Sequence, residues 1–344
     1  MGRDFSAIHV QLERSGRQWA GKLDSEKVAG EVRWDPAGQG RLTAHLTRLA
    51  LGQSARPEAP EVVASHPDLP ALDITAERFE MRDHWLGALD LKAEPDGDAW
   101  QIDRLDISNK QAKFTSAGRW RRTPDGSITT LDLKLDTQSL NALLGQFGFG
   151  DYLKRGTGKL SGTLAWSGYP YDFALGRLAG HFRIEARDGQ FAKIQTGAGK
   201  LLGLLSLQSL PRRATLDFRD VFSEGFAFDR IQAEVNVARG ILLTDNLEIS
   251  GPAAFVTLSG EVSLPDETQK LTLRVVPEVT EGVALAAALV GTPVLGLSTL
   301  LVSKLLNNPF GKVVAYEYSV TGSWDNPQVT RISAPLAQAA AATP

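Results

Sequence analysis

Residues 131–136 read Leu-Asp-Leu-Lys-Leu-Asp, and residues 231–237 read Ile-Gln-Ala-Glu-Val-Asn-Val. In both, every second residue is apolar and the residues between are charged or amides. A β-strand sends successive side chains to opposite faces, so this spacing writes a sheet with one apolar face and one wet face. The same period recurs elsewhere. Phe182, Ile184 and Ala186 alternate with Arg183 and Glu185; Leu271, Leu273 and Val275 with Thr272 and Arg274; Tyr316, Tyr318 and Val320 with Glu317 and Ser319. Leu160, Gly162, Leu164 and Trp166 form a further face. Turn signals separate the runs: Pro36-Ala37-Gly38, Pro95-Asp96-Gly97-Asp98, Pro124-Asp125-Gly126, Asp188-Gly189, Arg239-Gly240, Pro265-Asp266 and Asp325-Asn326-Pro327. The spacing predicts antiparallel meanders with one solvated side.

Four stretches depart from this pattern. Residues 51–70 carry Pro57, Pro60, Pro67 and Pro70 and read as a long loop. Residues 192–210, rich in leucine before Pro211, read as a short amphipathic helix. Residues 282–303 hold no charge over 22 positions, close to the roughly 20 needed to span a bilayer. Gly291, Thr292 and Pro293 interrupt them, so two short helices are favoured over one span. The alanine-rich tail from Ser333 to Pro344 reads as unstructured.

Composition narrows the function. The 344 residues carry 37 Lys+Arg and 40 Asp+Glu, a net charge of -3, which argues against a nucleic-acid binder. There are no cysteines, so disulfides, thiolate metal sites and cysteine nucleophiles are excluded. Met1-Gly2-Arg3-Asp4 opens without an apolar signal region, and the chain reads as though begun mid-protein.

One block repeats. Residues 103–120, DRLDISNKQAKFTSAGRW, align without gaps on residues 245–262, DNLEISGPAAFVTLSGEV. Seven positions are identical at an offset of 142, too long for a solenoid repeat, so each unit is a multi-strand block. Two ordinary hairpins with similar turns are the alternative. Residues 28–34, VAGEVRW, resemble the end of such a block.

Motifs for catalysis fail one after another. Gly158-Lys159 and Gly199-Lys200 are followed by leucine, so neither completes a phosphate-binding loop. Gly197-x-Gly199 has Leu202 where a dinucleotide fingerprint needs glycine. Val221–Gly225 and Gly296–Leu300 each lack one glycine of a nucleophile elbow. The histidines at 9, 45, 66, 84 and 181 are scattered. Asp132 and Asp136 flank Lys134 and read as a solvated face. The expectation is a non-enzyme without cofactor or metal. Trp34, Trp120, Trp166 and Trp324 sit at strand ends, where they stack on sugars or, as preferred here, cap the end of an apolar face.

An amphipathic sheet must cover its apolar face. A β-sandwich or barrel does so with more protein. A long curved sheet with an apolar concave face does so with lipid chains, each buried methylene contributing about 0.8 kcal/mol. Periodicity does not separate the two.

Specific stretches carry a resemblance. They are PALDITAERFEMRDHWLGALDLKAEP at 70–95, LSGTLAWSGYP at 160–170, GKLLGLLSLQSLPRR at 199–213, LDFRDVFSEGFAFDRI at 216–231, TDNLEISGPAAFVTLSGEVSL at 244–264 and YEYSVTGSWDNP at 316–327. In this order they resemble the C-terminal end of AsmA-like envelope proteins of the YhdP branch, over roughly residues 68–332. The resemblance implies a mainly β fold: a long, strongly twisted antiparallel sheet of repeated β-groove units with an apolar concave face, plus short helices. It implies the C-terminal part of a periplasm-spanning carrier of phospholipid between the inner and outer membranes of a Gram-negative bacterium. The full-length protein would be tethered to the inner membrane, with this end towards the outer membrane. Its partners would be phospholipids and membrane; protein partners stay open. A scaffolding envelope β-protein without lipid, or a carbohydrate-binding β-protein, are the alternatives.

Carried onto this chain, the groove would be lined by Leu131, Leu133, Leu135, Leu164, Phe182, Ile184, Phe226, Phe228, Ile231, Val235, Val237, Leu247, Ile249, Leu271, Leu273, Tyr316 and Tyr318. Leu201, Leu204 and Leu205 would cover or plug it, and Leu285, Leu289, Leu295, Leu300 and Leu301 would contact membrane or close it. The organisation expected is the end of a preceding repeat at 1–50, the loop at 51–70 and repeat units at 71–150 and 151–265. Terminal strands at 266–332, with an apolar helical segment at 283–306, and a tail at 333–344 complete it.

Overall fold

Sequential pairing of neighbouring strands organises the molecule, whose computed structural model describes residues 9–52, 69–192, 225–277 and 315–332. It divides into two compact units, Met1–Gly148 with Lys159–Gly180, and Phe149–Gly158 with His181–Pro344. The first holds β1 (His9–Ser15), β2 (Gln18–Asp24), β3 (Val28–Asp35), β4 (Arg41–Leu51), β5 (Ala71–Met81), β6 (His84–Asp96), β7 (Ala99–Ser108), β8 (Ala112–Thr123), β9 (Gly126–Thr137) and most of β10 (Thr157–Ser167). From β1 to β9 each strand pairs with the next in the chain. The second unit holds most of β11 (Leu178–Phe191), then β12 (Phe226–Ala238), β13 (Ile241–Ser250), β14 (Ala254–Ser263), β15 (Thr268–Pro277), β16 (Tyr316–Ser323) and β17 (Pro327–Arg331). From β12 onward these also pair in order, all antiparallel. The fold is mainly β and mostly antiparallel, as the alternation demands.

Helix is scarce among the described residues. The helix α1 (Leu140–Gly145) buries none of its side chains, and Gly150–Tyr152 and Leu175–Arg177 are single 3-10 turns. The sequence did not single these out. The helices expected near 192–210 and 283–306, most of the loop at 51–70 and the tail at 333–344 fall outside the described residues. So do Leu201, Leu204, Leu205, Leu285, Leu289, Leu295, Leu300 and Leu301.

Among the ladders just traced, one pair is not antiparallel. β4 and β5 run parallel, from Arg41↔Ala71 to Leu51↔Met81. Alternation looks the same in either direction, so the period could not reveal this. Each strand has 11 residues, so the chain must travel back about 36 Å before β5 begins. The long connection after Leu51 has the reach for that return, which a two-residue hairpin lacks. The antiparallel turns follow turn chemistry. Arg239 and Gly240 both have positive φ, 51° and 73°, the conformation that matches strand twist in a two-residue hairpin. Arg82 and Asp83 do the same at 52° and 66° without any glycine.

The 103–120 and 245–262 stretches form equivalent hairpins, β7–β8 and β13–β14. Leu105↔Ser116, Asp106↔Thr115 and Ile107↔Phe114 match Leu247↔Leu258, Glu248↔Thr257 and Ile249↔Val256. The register slips between Ile102 and Leu105 in one and between Thr244 and Leu247 in the other, the same step at the offset of 142. A bulge re-aims a strand and adds local twist, so the two blocks share a bend as well as a pattern.

Each block also carries a glycine where the next strand comes close. A Cβ on Gly118 would lie 2.1 Å from the Thr130 carbonyl oxygen, and one on Gly260 2.2 Å from that of Lys270. Gly118 pairs with Leu131 and Gly260 with Leu271, so both would point to the apolar face. The neighbouring strand is therefore displaced towards that face, and the sheet creases there.

At the opposite end of β7 and β8, Asn109 holds the turn. Its Nδ2 donates to the Leu86 carbonyl at 2.8 Å, and its Oδ1 accepts from the Gln111 and Ala112 amides at 2.8 and 3.0 Å. Asn109→Ala strands both amides and that carbonyl. The expected cost is about 2 kcal/mol, read as a lower urea midpoint at unchanged slope. A loss below about 0.5 kcal/mol would show that the turn is held by its backbone instead.

Candidate functional site

Partners opposite one another in a sheet share a face, so the registers can be followed across strands. In the first unit one such line runs Val32, Ala44, Ile74, Leu91, Leu105, Ser116, Leu133 from β3 to β9. A parallel line runs Gly30, Leu46, Ala76, Leu89, Ile107, Phe114, Leu135. Seven strands thus present one unbroken apolar face. Its smaller or central members, Ala44, Leu46, Ala76, Phe79 and Leu89, are buried by their neighbours. Val28, Val32, Leu49, Ile74, Leu91, Leu105 and Ile107 are only partly buried against them. Large aliphatic side chains are left half in water on this face, and among the described residues no second layer covers it: the described helices are too short to do so.

The second unit repeats the arrangement. Ile231, Ile249, Val256, Val275 and Tyr316 form one line, and Leu247, Leu258, Leu273 and Tyr318 the next. Phe191 packs on Phe226 and Phe228, with ring centroids at 6.3 and 5.1 Å, and Gly189 leaves room for the Phe228 ring. Burial pushes the Tyr318 phenol above its ordinary pKa, so it stays protonated against the apolar face.

The side chains expected to line a groove fall as follows. Leu131 and Leu133 are buried and Leu135 half-buried, between exposed Asp132, Lys134 and Asp136. Phe226, Phe228, Val235, Val237, Ile249, Leu271, Leu273, Tyr316 and Tyr318 are buried. Phe182, Ile184, Ile231 and Leu247 are half-buried. Leu164 is half-buried too, but so is every residue from Leu160 to Ala165, and burial does not single out its face. Sequence reasoning passed over all of the face contributed by β3 to β8. The signal was present in Val28, Gly30, Val32 and Trp34 and in Leu72, Ile74 and Ala76, diluted by glycine and alanine.

The reverse face is charged. Lys22–Glu31 (3.4 Å), Arg104–Asp90 (2.9 Å), Lys159–Asp136 (3.5 Å) and Arg183–Glu234 (2.5 Å) are exposed pairs between strands. The hydrogen bond from Arg183 holds the Glu234 carboxyl below the usual carboxylate range, with Coulombic attraction adding to it. Such pairs are screened by solvent and keep the outer face soluble more than they stabilise it. Among the described residues no group of three His, Asp or Glu side chains is placed to hold a metal ion. No helix among them is long and apolar enough to cross a membrane.

Tryptophans line one edge of the first unit. The direction of the strands brings Trp19, Trp34, Trp100, Trp120 and Trp166 to the same side, as the pairs Trp19↔Trp34 and Trp100↔Trp120 show. Trp100, Trp120 and Trp166 are buried. Trp100 Nε1 donates to the Pro70 carbonyl at 2.8 Å and Trp166 Nε1 to that of Tyr169 at 2.9 Å. Trp120 stacks on Tyr169 at 5.0 Å, and Tyr169 on Tyr171 at 5.2 Å. Thr129 Oγ1 donates to the Gly168 carbonyl beneath them. The buried rings of Trp120 and Trp166 fit the capping reading, whereas Trp34, with Trp19 beside it, is exposed. Arginines stand over rings on the apolar face: Arg14 over Trp19 at 5.5 Å and Arg122 over Trp120 at 5.6 Å in the first unit, Arg331 over Tyr316 at 5.0 Å in the second.

Comparison with known proteins adds two findings. A family model described as "YhdP protein" matches residues 1–329. The intermembrane phospholipid transporter YhdP of Escherichia coli strain K12 is 30% identical over 247 residues, which cover 72% of this chain. The chain spans 20% of that relative's length. No solved structure matches.

Proposed function

Since the chain belongs to the YhdP family, we propose that it is a lipid-carrying part of an envelope protein, taking phospholipid acyl chains on its two apolar sheet faces. The observation that carries this reading is the unbroken apolar face across β3 to β9 with its half-buried aliphatic residues. Such a face loses apolar contact with water for every methylene laid on it, about 0.8 kcal/mol each, and asks for no particular headgroup. It suits transport because the same contacts recur from strand to strand, so a chain can advance without leaving the face. The name of the E. coli relative supports phospholipid as the cargo.

The finer reading follows the resemblance. The chain works in the periplasm, in a longer protein tethered to the inner membrane, with this end on the outer-membrane side. It does no catalysis and needs no cofactor or nucleic acid. Residues 71–150 and 151–265 act as successive repeat blocks, which the shared register of their hairpins supports. The groove-lining role belongs to the residues of both faces, those of β3 to β8 included.

The test is mass spectrometry of organic extracts from protein purified without added lipid. Phospholipid is expected at about one molecule or more per chain. Folded protein with no extractable lipid would remove the carrier reading and favour a scaffold.

A further inference from the structure

We propose that the tryptophan edge of the first unit binds the phosphate of a phospholipid, with Arg122 and the indole N–H of Trp120 as donors and the acyl chains lying along β8 and β9. The proposal rests on the carrier reading above and adds to it an orientation and a headgroup site. Successive residues on the apolar face of β8 run Arg122, Trp120, Gly118, Ser116, Phe114 from the edge inward, opposite Ser127, Thr129, Leu131, Leu133 and Leu135 of β9. Cation, aromatic and aliphatic follow one another in the order that phosphate, interface and acyl chain follow in a phospholipid. The length also fits. Trp120 to Phe114 is six residues, about 20 Å, against about 15 Å for the acyl layer of one bilayer leaflet.

Trp120 supplies the second observation. It is 3% exposed, yet its Nε1 has no hydrogen-bond partner. Trp100 and Trp166, on the same edge, both satisfy theirs with backbone carbonyls. A buried unpaired donor destabilises the fold, and an anion that seats there removes that cost. Arg122 places a cation over the face of that ring, 5.6 Å from its centre, on the same side of β8. In the second unit the indole of Trp324, just past β16, likewise has a buried Nε1 without a partner. The edge therefore selects for a phosphate, while the face behind it accepts any chain.

The experiment measures binding of tail-labelled phosphatidylglycerol and of diacylglycerol with the same chains and label, to the whole chain and to Arg122→Gln and Trp120→Phe. The parent is expected to prefer phosphatidylglycerol. Each variant should bind it about tenfold more weakly and bind diacylglycerol within about twofold of the parent. Equal losses for both lipids would make these residues structural, and no loss for either would overturn the site. Displacement of phosphatidylglycerol by excess inorganic phosphate would overturn the lipid assignment in favour of a free-anion site. A parent that binds diacylglycerol without preferring phosphatidylglycerol defeats only this proposal, whereas one that binds neither lipid defeats the carrier reading as well. Arg122→Gln changes an exposed side chain, so its result stands if Trp120→Phe folds poorly.

Discussion

Replacing Gly118 by valine is expected to lower the melting temperature by about 6–12 °C, the largest stability effect foreseen for a single aliphatic substitution. The atom a new Cβ would meet is the Thr130 carbonyl oxygen at 2.1 Å, with the Leu131 Cα at 2.9 Å. Both belong to the backbone, so no side chain can swing aside. β8 and β9 must separate, which strains their ladder at the centre of the apolar face. Overpacking of this kind costs about 3 kcal/mol, and a unit of this size loses about 2–4 °C per kcal/mol. Gly97→Ala is the control. Gly97 has φ +57° in a turn with nothing within 4 Å, so the cost is backbone strain alone, about 1 kcal/mol. Calorimetry on both variants separates the two causes; equal shifts would show that the crease at Gly118 can relax.

Leu105→Glu is expected to slow lipid transfer between donor and acceptor vesicles by about 100-fold while leaving the fold in place. Leu105 lies in the middle of the line from Val32 to Leu133 and is half-buried. Its position lets a carboxylate reach water when no lipid is present. An acyl chain passing over it must strip that water. A charge in a hydrocarbon setting costs about 3 kcal/mol on insertion scales, which is about 100-fold in rate. Asp132→Leu, on the exposed reverse face of β9, should leave transfer unchanged. Unchanged transfer in a folded Leu105→Glu protein would move the lipid path away from β6 to β8.

The strands whose period stays intact were legible in the sequence. Leu131 and Leu133, Val235 and Val237, Leu271 and Leu273, and Tyr316 and Tyr318 are buried as their alternation implies. Where a bulge inserts, the period changes phase. Buried positions shift from Phe226 and Phe228 to Ala233 and Val235 across exposed Asp229 and Arg230. β5 shifts from Ala76 to Phe79 at an irregularity in its pairing with β6. That is why the face of β3 to β8 escaped notice although it is the more continuous of the two. The glycine creases were written too, as Ala-Gly or Ser-Gly at 20–21, 29–30, 117–118, 179–180 and 259–260. Only coordinates show why: at Gly21, Gly30, Gly118, Gly180 and Gly260 alike a neighbouring carbonyl oxygen stands within 2.4 Å of the missing Cβ. The parallel pair of β4 and β5 had no signature beyond the length of the connection.

Strictly sequential pairing has a consequence for how each unit acquires its structure. Nearly every ladder joins residues only a hairpin apart, so loop-closure entropy is small at each step and contact order is low for a β protein. Strands can then be added one after another to a growing edge, as in linear repeat proteins, with no distant partner to await. The exceptions are β15 to β16, with residues 278–315 between them, and, in the first unit, the step from β4 to β5, where the chain must first cross the length of a strand. That step is the natural kinetic bottleneck of the first unit, and a nascent chain paused there would expose the edge of β4 to other strands.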